Sequence, residues 1–330
     1  MNSFGRIFRI SLFGESHGEG VGIAVDGCPA GLRLAAEDFS GDLKRRQSGA
    51  RGTTGRQEAD HPLIWSGLRK QTTTGMPIMI FIKNKNVRSR DYDPLRYFPR
   101  PGHADFVAWH KFGGFHDSRG GGQFSGRMTV AFVAAGVIAK KILRKVRIRA
   151  ALIEVGGSRD ITKTVNQALR EGDSIGGLVE CRAEGIPVGL GEPFFDTAES
   201  LLSHLVFAIP GVKGIEFGSG FACSRMTGSQ CNDVILSRSG RTKTNHAGGI
   251  HGGLTNGNEL VFRVAFKPPA SIPKEQDTIH VLTGKSAKIR IRGRHDACLA
   301  LRTPVIVEAV TAIVLADLML LEQKIPRVLE

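Results

Sequence analysis

Residues 6–27 read RIFRISLFGESHGEGVGIAVDG. Phe8–Leu12 alternates apolar and polar side chains, and Val21–Val25 is a short run of apolar and small ones, so both read as strands. Only a glycine-rich loop lies between them. Further strands are expected at Ile78–Ile82, Arg147–Val155, Leu178–Ala183, Val212–Phe217, Leu260–Phe266 and Ala287–Ile291. Helices are expected at Glu37–Arg46, Met128–Leu143, Thr162–Arg170, Ala198–Phe207 and Val305–Gln323. Ser125 stands where an N-cap is needed for the second helix, and Asp160 or Thr162 for the third. Strands that follow one another without a helix disfavour a strictly parallel doubly wound sheet, so the pattern is α/β or α+β.

Around this frame, the composition excludes several classes. Hydrophobic residues make up 41% of the 330, with 18 Phe, which is too apolar for a disordered chain. Glycine is abundant at 42 residues, without the G-X-Y period of collagen. Lys and Arg number 45 against 31 Asp and Glu, a net charge of +14. Such a charge suits a nucleic acid, a membrane surface or small polyanions. The basic residues run from Arg6 to Arg327 without a polybasic tail, and arginine beside Gly and Ser suits bidentate recognition of phosphate and carboxylate. The five cysteines have no CxxC spacing, which points to reduced thiols and a cytoplasmic protein. Arg6, Arg9 and Glu15 stand where a signal peptide needs an apolar core. The greasiest stretch, Val305 to Leu321, carries Glu308 and Asp317 and reads as a buried helix, so no membrane is expected.

Five groups of loops carry the chemistry. Gly14-Glu15-Ser16-His17-Gly18 sets a histidine directly after a strand, for function or for loop capping. Lys44-Arg45-Arg46 and the run Ser48 to Arg56 place four arginines among Gly, Ser and Thr, a cradle for phosphate or carboxylates, or a solvated basic loop. In Arg100-Pro101-Gly102-His103-Ala104-Asp105 a carboxylate can tune the histidine, or Asp105 can cap the next helix. Arg119 to Arg127 holds three consecutive glycines before a long apolar helix, a setting for an anion, yet matches neither GxxxxGK[ST] nor GxGxxG. The C-terminal half adds residues 245–253, with His246 and His251, then Lys267-Pro268-Pro269-Ala270-Ser271 and Gly293-Arg294-His295-Asp296-Ala297. No HExxH or CxxC supports a metal there, so bridging or structural histidines are favoured and no metal site is assigned.

Taken in order, FGESHG (Phe13–Gly18), RPGHAD (Arg100–Asp105), RGGG (Arg119–Gly122), EGDSIGG (Glu171–Gly177), GLGEPFFD (Gly189–Asp196), VKGIEFG (Val212–Gly218), NHAGGI (Asn245–Ile250), KPPAS (Lys267–Ser271) and GRHDAC (Gly293–Cys298) resemble the chorismate synthase family. The resemblance implies a phosphate lyase of the shikimate pathway. It would convert 5-enolpyruvylshikimate 3-phosphate to chorismate by 1,4-anti elimination, with reduced FMN required and no net redox change. It implies a single α+β domain over residues 1–330, a β-α-β sandwich with a helical layer between two antiparallel sheets and two pseudo-repeated halves. It also implies a homotetramer. By the same resemblance His17 is the proton donor to the leaving phosphate, and His103 protonates or stabilises the reduced flavin. Asp296 is the base that works through flavin N5. Arg46, Arg51, Arg100 and Arg127 would contact the substrate anions. FMN contacts would come from Gln123, Phe124, Ser125, Pro210, Gly211, Gly252, Lys267, Pro268, Pro269, Ala270, Ser271 and Arg294. After RGGG many members read Arg-Ser-Ser-Ala-Arg-Glu-Thr, whereas this chain has Gln123-Phe124-Ser125-Gly126-Arg127-Met128-Thr129. No NAD(P)H fingerprint is present, so an external flavin reductant is expected.

Two other classes make different predictions. An RNA binder would show one basic face and a strong salt dependence, although Tyr and Trp number only two each for base stacking. An oxidoreductase with net turnover would consume reductant in proportion to product.

Overall fold

The computed structural model describes residues 2–87, 95–291, 293 and 295–329. Its main elements are two antiparallel sheets and two long apolar helices. The first sheet orders its strands Ser3–Phe4, Arg9–Gly14, Gly20–Asp26, Ile78–Lys83 and Pro62–Ile64. Leu12 pairs with Ile23, and Ile23 pairs with Ile80. Side chains alternate across a strand, so Val21, Ile23 and Val25 share the buried face with Ile78, Ile80 and Ile82. The second sheet orders Val212–Phe217, Leu260–Phe266, Gly177–Glu184 and Arg147–Val155. A bulge between Leu152 and Glu154 shifts the register on its edge strand.

Helices Thr129–Leu143 and Pro304–Leu321 are apolar on nearly every face, and both are buried along most of their length. Such a helix has no solvent side and belongs in a core. Thr129–Leu143 packs against strand Gly20–Asp26, Pro304–Leu321 packs against the two strands Arg147–Val155 and Gly177–Glu184, and the helices pack on each other. Their closest approach is at Gly136, where a Cβ would collide with Ala309. Pro304–Leu321 is long and apolar enough to cross a membrane, yet 83% of it is buried inside the protein. Its two carboxylates have internal partners. Glu308 binds Arg45 through two hydrogen bonds of 2.7 Å and also takes Lys140 and the Ala150 N–H. Asp317 accepts the backbone N–H groups of Arg6, Ile7 and Phe8, which ties the N-terminal segment to the core.

The eight expected strands and five expected helices are all present, with ends shifted by a few residues. The expected helix Glu37–Arg46 divides into a 3-10 turn, Ala36–Phe39, and an α-helix, Ser40–Arg46. Asp38 turns back to accept the Ala35 N–H at 2.8 Å, which tightens the first turn. Asp160, rather than Thr162, caps Ile161–Arg170 by accepting the Lys163 N–H. Helix Asp105–Phe112 was not expected, because its apolar Phe106 and Val107 face solvent and give no amphipathic period. Strand Glu275–Ile279, which pairs with Ser286–Arg290, was missed because EQDTI is mostly polar.

Candidate functional site

A cavity of about 540 Å³ opens between the loops that follow the first sheet and those that flank strands Val212–Phe217 and Leu260–Phe266. Of the histidines singled out from the sequence, His17, His103 and His295 line it. His17 lies just beyond strand Arg9–Gly14, and with Ser16 it is buried. Arg56 pins that turn by donating to the Ser16 hydroxyl and carbonyl, each at 3.0 Å. The Ser16 N–H in turn donates to the Gly122 carbonyl. A Cβ at Gly120 would lie 2.5 Å from His17 Cδ2, and one at Gly121 would lie 3.2 Å from His103 Nε2. Both glycines have positive φ. The structure shows Gly120 and Gly121 making room for the two histidines, a role beside the anion setting read from the sequence.

His103 sits on a tight turn organised by Asp105. Arg100 grips the Asp105 carboxylate through Nε at 2.7 Å and Nη2 at 2.8 Å, and His103 Nδ1 lies 2.6 Å from Asp105 Oδ1. The helix N-cap is Ala104, so Asp105 orders the histidine and arginine rather than the cap. Burial pushes His103 below its ordinary value, the Asp105 hydrogen bond opposes this, and Arg100 adds to the downward push. His103 is therefore neutral at pH 7 in the free protein. Burial opposes ionisation of Asp105, but hydrogen bonds from Arg100 and His103 outweigh it and hold the carboxyl well below its usual range. A carboxyl depressed in the folded state contributes stability above its unfolded value and loses it as pH falls through the folded one. Wild-type stability should therefore decline as pH falls below about 4, and Asp105→Asn should flatten that part of the curve in urea denaturation. An unchanged slope would show that the Arg100–Asp105 clamp does not contribute.

A second cluster lies deeper. Asp60, whose side chain is fully buried, pairs with Arg46 at 3.2 Å and with Arg127. Arg46 also donates to Thr129 Oγ1, and Arg127 donates to Asn84 Oδ1 at 2.9 Å. Burial pushes the Arg46 guanidinium down to about 10, Asp60 opposes this, and Arg302 and Arg127 add to the push. Arg46 Nε is buried with no hydrogen-bond partner. Ser125 accepts the Arg127 N–H and so caps the short turn Gly126–Met128, not the long helix Thr129–Leu143 that it was expected to cap, whose own N-cap is Met128. Asp296 reaches the cavity from the loop before the last helix, with Oδ1 taking the Thr54 N–H at 2.9 Å and Oδ2 taking Arg302 at 2.8 Å. Six cationic side chains line the wall (Arg46, Arg56, Arg100, Arg127, Lys267 and Arg302) against the three carboxylates of Glu58, Asp60 and Asp296. The rest of the lining is largely apolar and includes Phe124, Phe207, Ile209, Pro210, Gly211, Pro269, Ala270 and Leu299. Lys267 reaches across to the Gly102 carbonyl, and burial, helped by Lys213, pushes its ammonium below the usual value.

The structure thus gathers His17, His103, Asp296, Arg46, Arg100, Arg127, Gln123, Phe124, Ser125, Pro210, Gly211, Lys267, Pro269, Ala270 and Ser271 around one space. Arg51, Gly252 and Pro268 do not line it, and all three are exposed. The Gly52 carbonyl accepts from the Ala297 and Cys298 N–H groups, which anchors the loop at Gly52 and leaves Arg51 at its outer edge. Gly252 lies in the turn between the short strands Ile250–His251 and Leu254–Thr255. Arg294 lies outside the described residues. His246 bonds Ser219 and His251 faces Asp233, so both have structural partners. The site reading missed Glu58, Asp60 and Arg302. Glu58 and Asp60 carried no glycine beside them, and Arg302 stood as a single charge before an apolar helix.

A family model described as chorismate synthase matches residues 8–320. A relative named chorismate synthase from Chitinophaga pinensis is 59% identical over 329 residues, covering 99% of each chain. Another of that name from Dehalococcoides mccartyi is 45% identical over 361 aligned residues, covering 100% of this chain and 99% of its own. A solved structure titled Crystal Structure of Chorismate Synthase superposes with a TM-score of 0.75 at 27% identity, covering 97% of this chain and 93% of the other.

Proposed function

We propose a chemistry for the cavity on the ground that this chain belongs to the chorismate synthase family, the lyases that form chorismate in the shikimate pathway. The substrate is 5-enolpyruvylshikimate 3-phosphate, and the reaction is a 1,4-anti elimination of its phosphate. The observation that carries this reading is the enclosure of His17, His103 and Asp296 in one cavity with six cationic side chains. Five of those cations already hold protein carboxylates, and a substrate with one phosphate and two carboxylates would balance the positive charge that remains in excess.

The residues fit reduced FMN as the cofactor. Residues 207–211 and 269–270 give the cavity an apolar lining suited to a ring system, and Lys267 and Ser271 line the same cavity. Buried Arg46 Nε, which has no hydrogen-bond partner among the described residues, supports an anionic ligand in the cavity. Held by that lining, reduced FMN would supply a transient electron for the elimination with no net redox change. The protein's own groups do the rest. Arg46 and Arg127 hold the phosphate in a site screened from water, where each preorganised donor contributes about 3–4 kcal/mol to anion stabilisation. His17 donates a proton to the departing phosphate. His103, neutral and fixed by Asp105, is poised to exchange a proton with the cofactor. Asp296 takes up the proton lost from the substrate.

We further read the chain as a single domain, a sandwich of two pseudo-repeated halves with the two long helices between the sheets. The contacts of Thr129–Leu143 with the first sheet and of Pro304–Leu321 with the second support this. We also read it as a cytoplasmic homotetramer fed by an external flavin reductant. One assay tests the chemistry. Anaerobic incubation with the substrate and reduced FMN should release phosphate and chorismate in equal amounts, and oxidised FMN should give neither. A well-folded protein that releases neither with reduced flavin would overturn the reading.

A further inference from the structure

We propose that Arg302 is a positioning residue that holds the Asp296 carboxylate in the orientation needed to accept the substrate proton. The inference rests on the elimination reading above. Asp296 lies on a loop, whereas Arg302 closes the 3-10 turn Leu299–Arg302 that runs directly into the buried helix Pro304–Leu321. The rigid element therefore carries the arginine, and the loop carries the base. Their contact is a single hydrogen bond, Nη2 to Oδ2 at 2.8 Å, with both side chains nearly buried at 12% and 11% exposure. The Thr54 N–H takes the other oxygen at 2.9 Å. Two donors on two oxygens fix both the rotamer and the tilt of the carboxylate. Each oxygen keeps a second lone pair, because a carboxylate has about four acceptor sites and only two are used. The proton can thus be received without breaking either contact.

The choice of Arg302 over a purely structural ion pair follows from its other atoms. Among the described residues its Nε is buried without a partner, so the arginine is not placed to maximise its own hydrogen bonding. It also lines the same cavity as Arg46 and Arg127, so it stands in the site that holds the base. Removing it should disorient Asp296 while leaving the deeper arginines to bind the substrate.

The test uses Arg302→Gln and Arg302→Lys in otherwise intact protein. Arg302→Gln should lower kcat by about 100-fold while KM for the substrate and the Kd of oxidised FMN change by less than about threefold. Arg302→Lys, which keeps a donor, should recover part of the loss. In an Asp296→Asn background the same Gln substitution should cost nothing further in single-turnover rate, because a residue that acts only through Asp296 has no effect once the carboxylate is gone. A rise in KM with kcat retained would make Arg302 a substrate contact and overturn the proposal, as would a full additional loss in the Asp296→Asn background. A readout independent of turnover is the crystal structure of the flavin-free Arg302→Gln protein, in which the Asp296 carboxylate should leave its present orientation. An unchanged carboxylate would overturn the proposal even if the wild-type protein made no chorismate, so the two readings fail separately.

Discussion

His17→Ala should lower turnover by about 10²–10⁴-fold, the range of a general acid, while oxidised FMN still binds within about twofold of wild type. The expectation comes from how the side chain is held. His17 is buried in the cavity wall, its neighbour Ser16 is pinned by Arg56, and Gly120 leaves no side chain between the ring and its loop. That construction spends several contacts on fixing one imidazole in the cavity that Arg46 and Arg127 also line. A phosphate leaves more easily when protonated, and a guanidinium is too weak an acid to give that proton whereas an imidazolium is a suitable one. Stopped-flow release of phosphate under anaerobic conditions measures the effect. His17→Asn is the control, because it keeps a polar side chain of smaller size without an acid of suitable pKa. If either variant turned over at a near-normal rate, the role assigned to His17 would be wrong.

Asp60→Ala should destabilise the protein by about 3–5 kcal/mol, the usual cost of removing one partner from a buried ion pair. Asp60 is the carboxylate shared by Arg46 and Arg127, and all three side chains are nearly inaccessible to water. Without it two guanidinium groups would be left facing each other in a dry site. Added inorganic phosphate should then stabilise the variant more than the wild type, because the anion takes over the missing charge. Urea denaturation with and without phosphate reads both effects. Asp60→Asn should fall between the two proteins, since it keeps an acceptor but not the charge. A loss below about 0.5 kcal/mol for Asp60→Ala would show that the cluster does not depend on Asp60.

The positive charge of the sequence divides along the same line. Six cations face the cavity, and others, such as Arg182 with Glu180 and Glu259, or Lys288 with Glu275, are bound in ion pairs outside it. Exposed pairs of that kind contribute little to stability. The asymmetry that matters is local, where cations outnumber carboxylates two to one on one wall.

Much of the architecture was legible in the sequence. Period-2 and apolar runs marked the strands of both sheets, and two stretches apolar on all faces marked the central helices, because burial pattern is a local property of sequence. The loops around His17, His103, Arg127 and Asp296 were legible as well, since glycine, histidine and arginine together are uncommon in plain connections. Tertiary structure alone decided which of them share a wall. It brought Asp296 to Thr54 and Arg302 and set Asp60 between arginines 14 and 67 positions away in the chain. It also left Arg51 outside, although Arg51 belongs to the same basic run as Arg46 and Arg56. The physical reason is that a charge's role depends on what surrounds it in space. Residue type and spacing name the donors and acceptors, but only the packed loops determine which ones lose their water and must find each other.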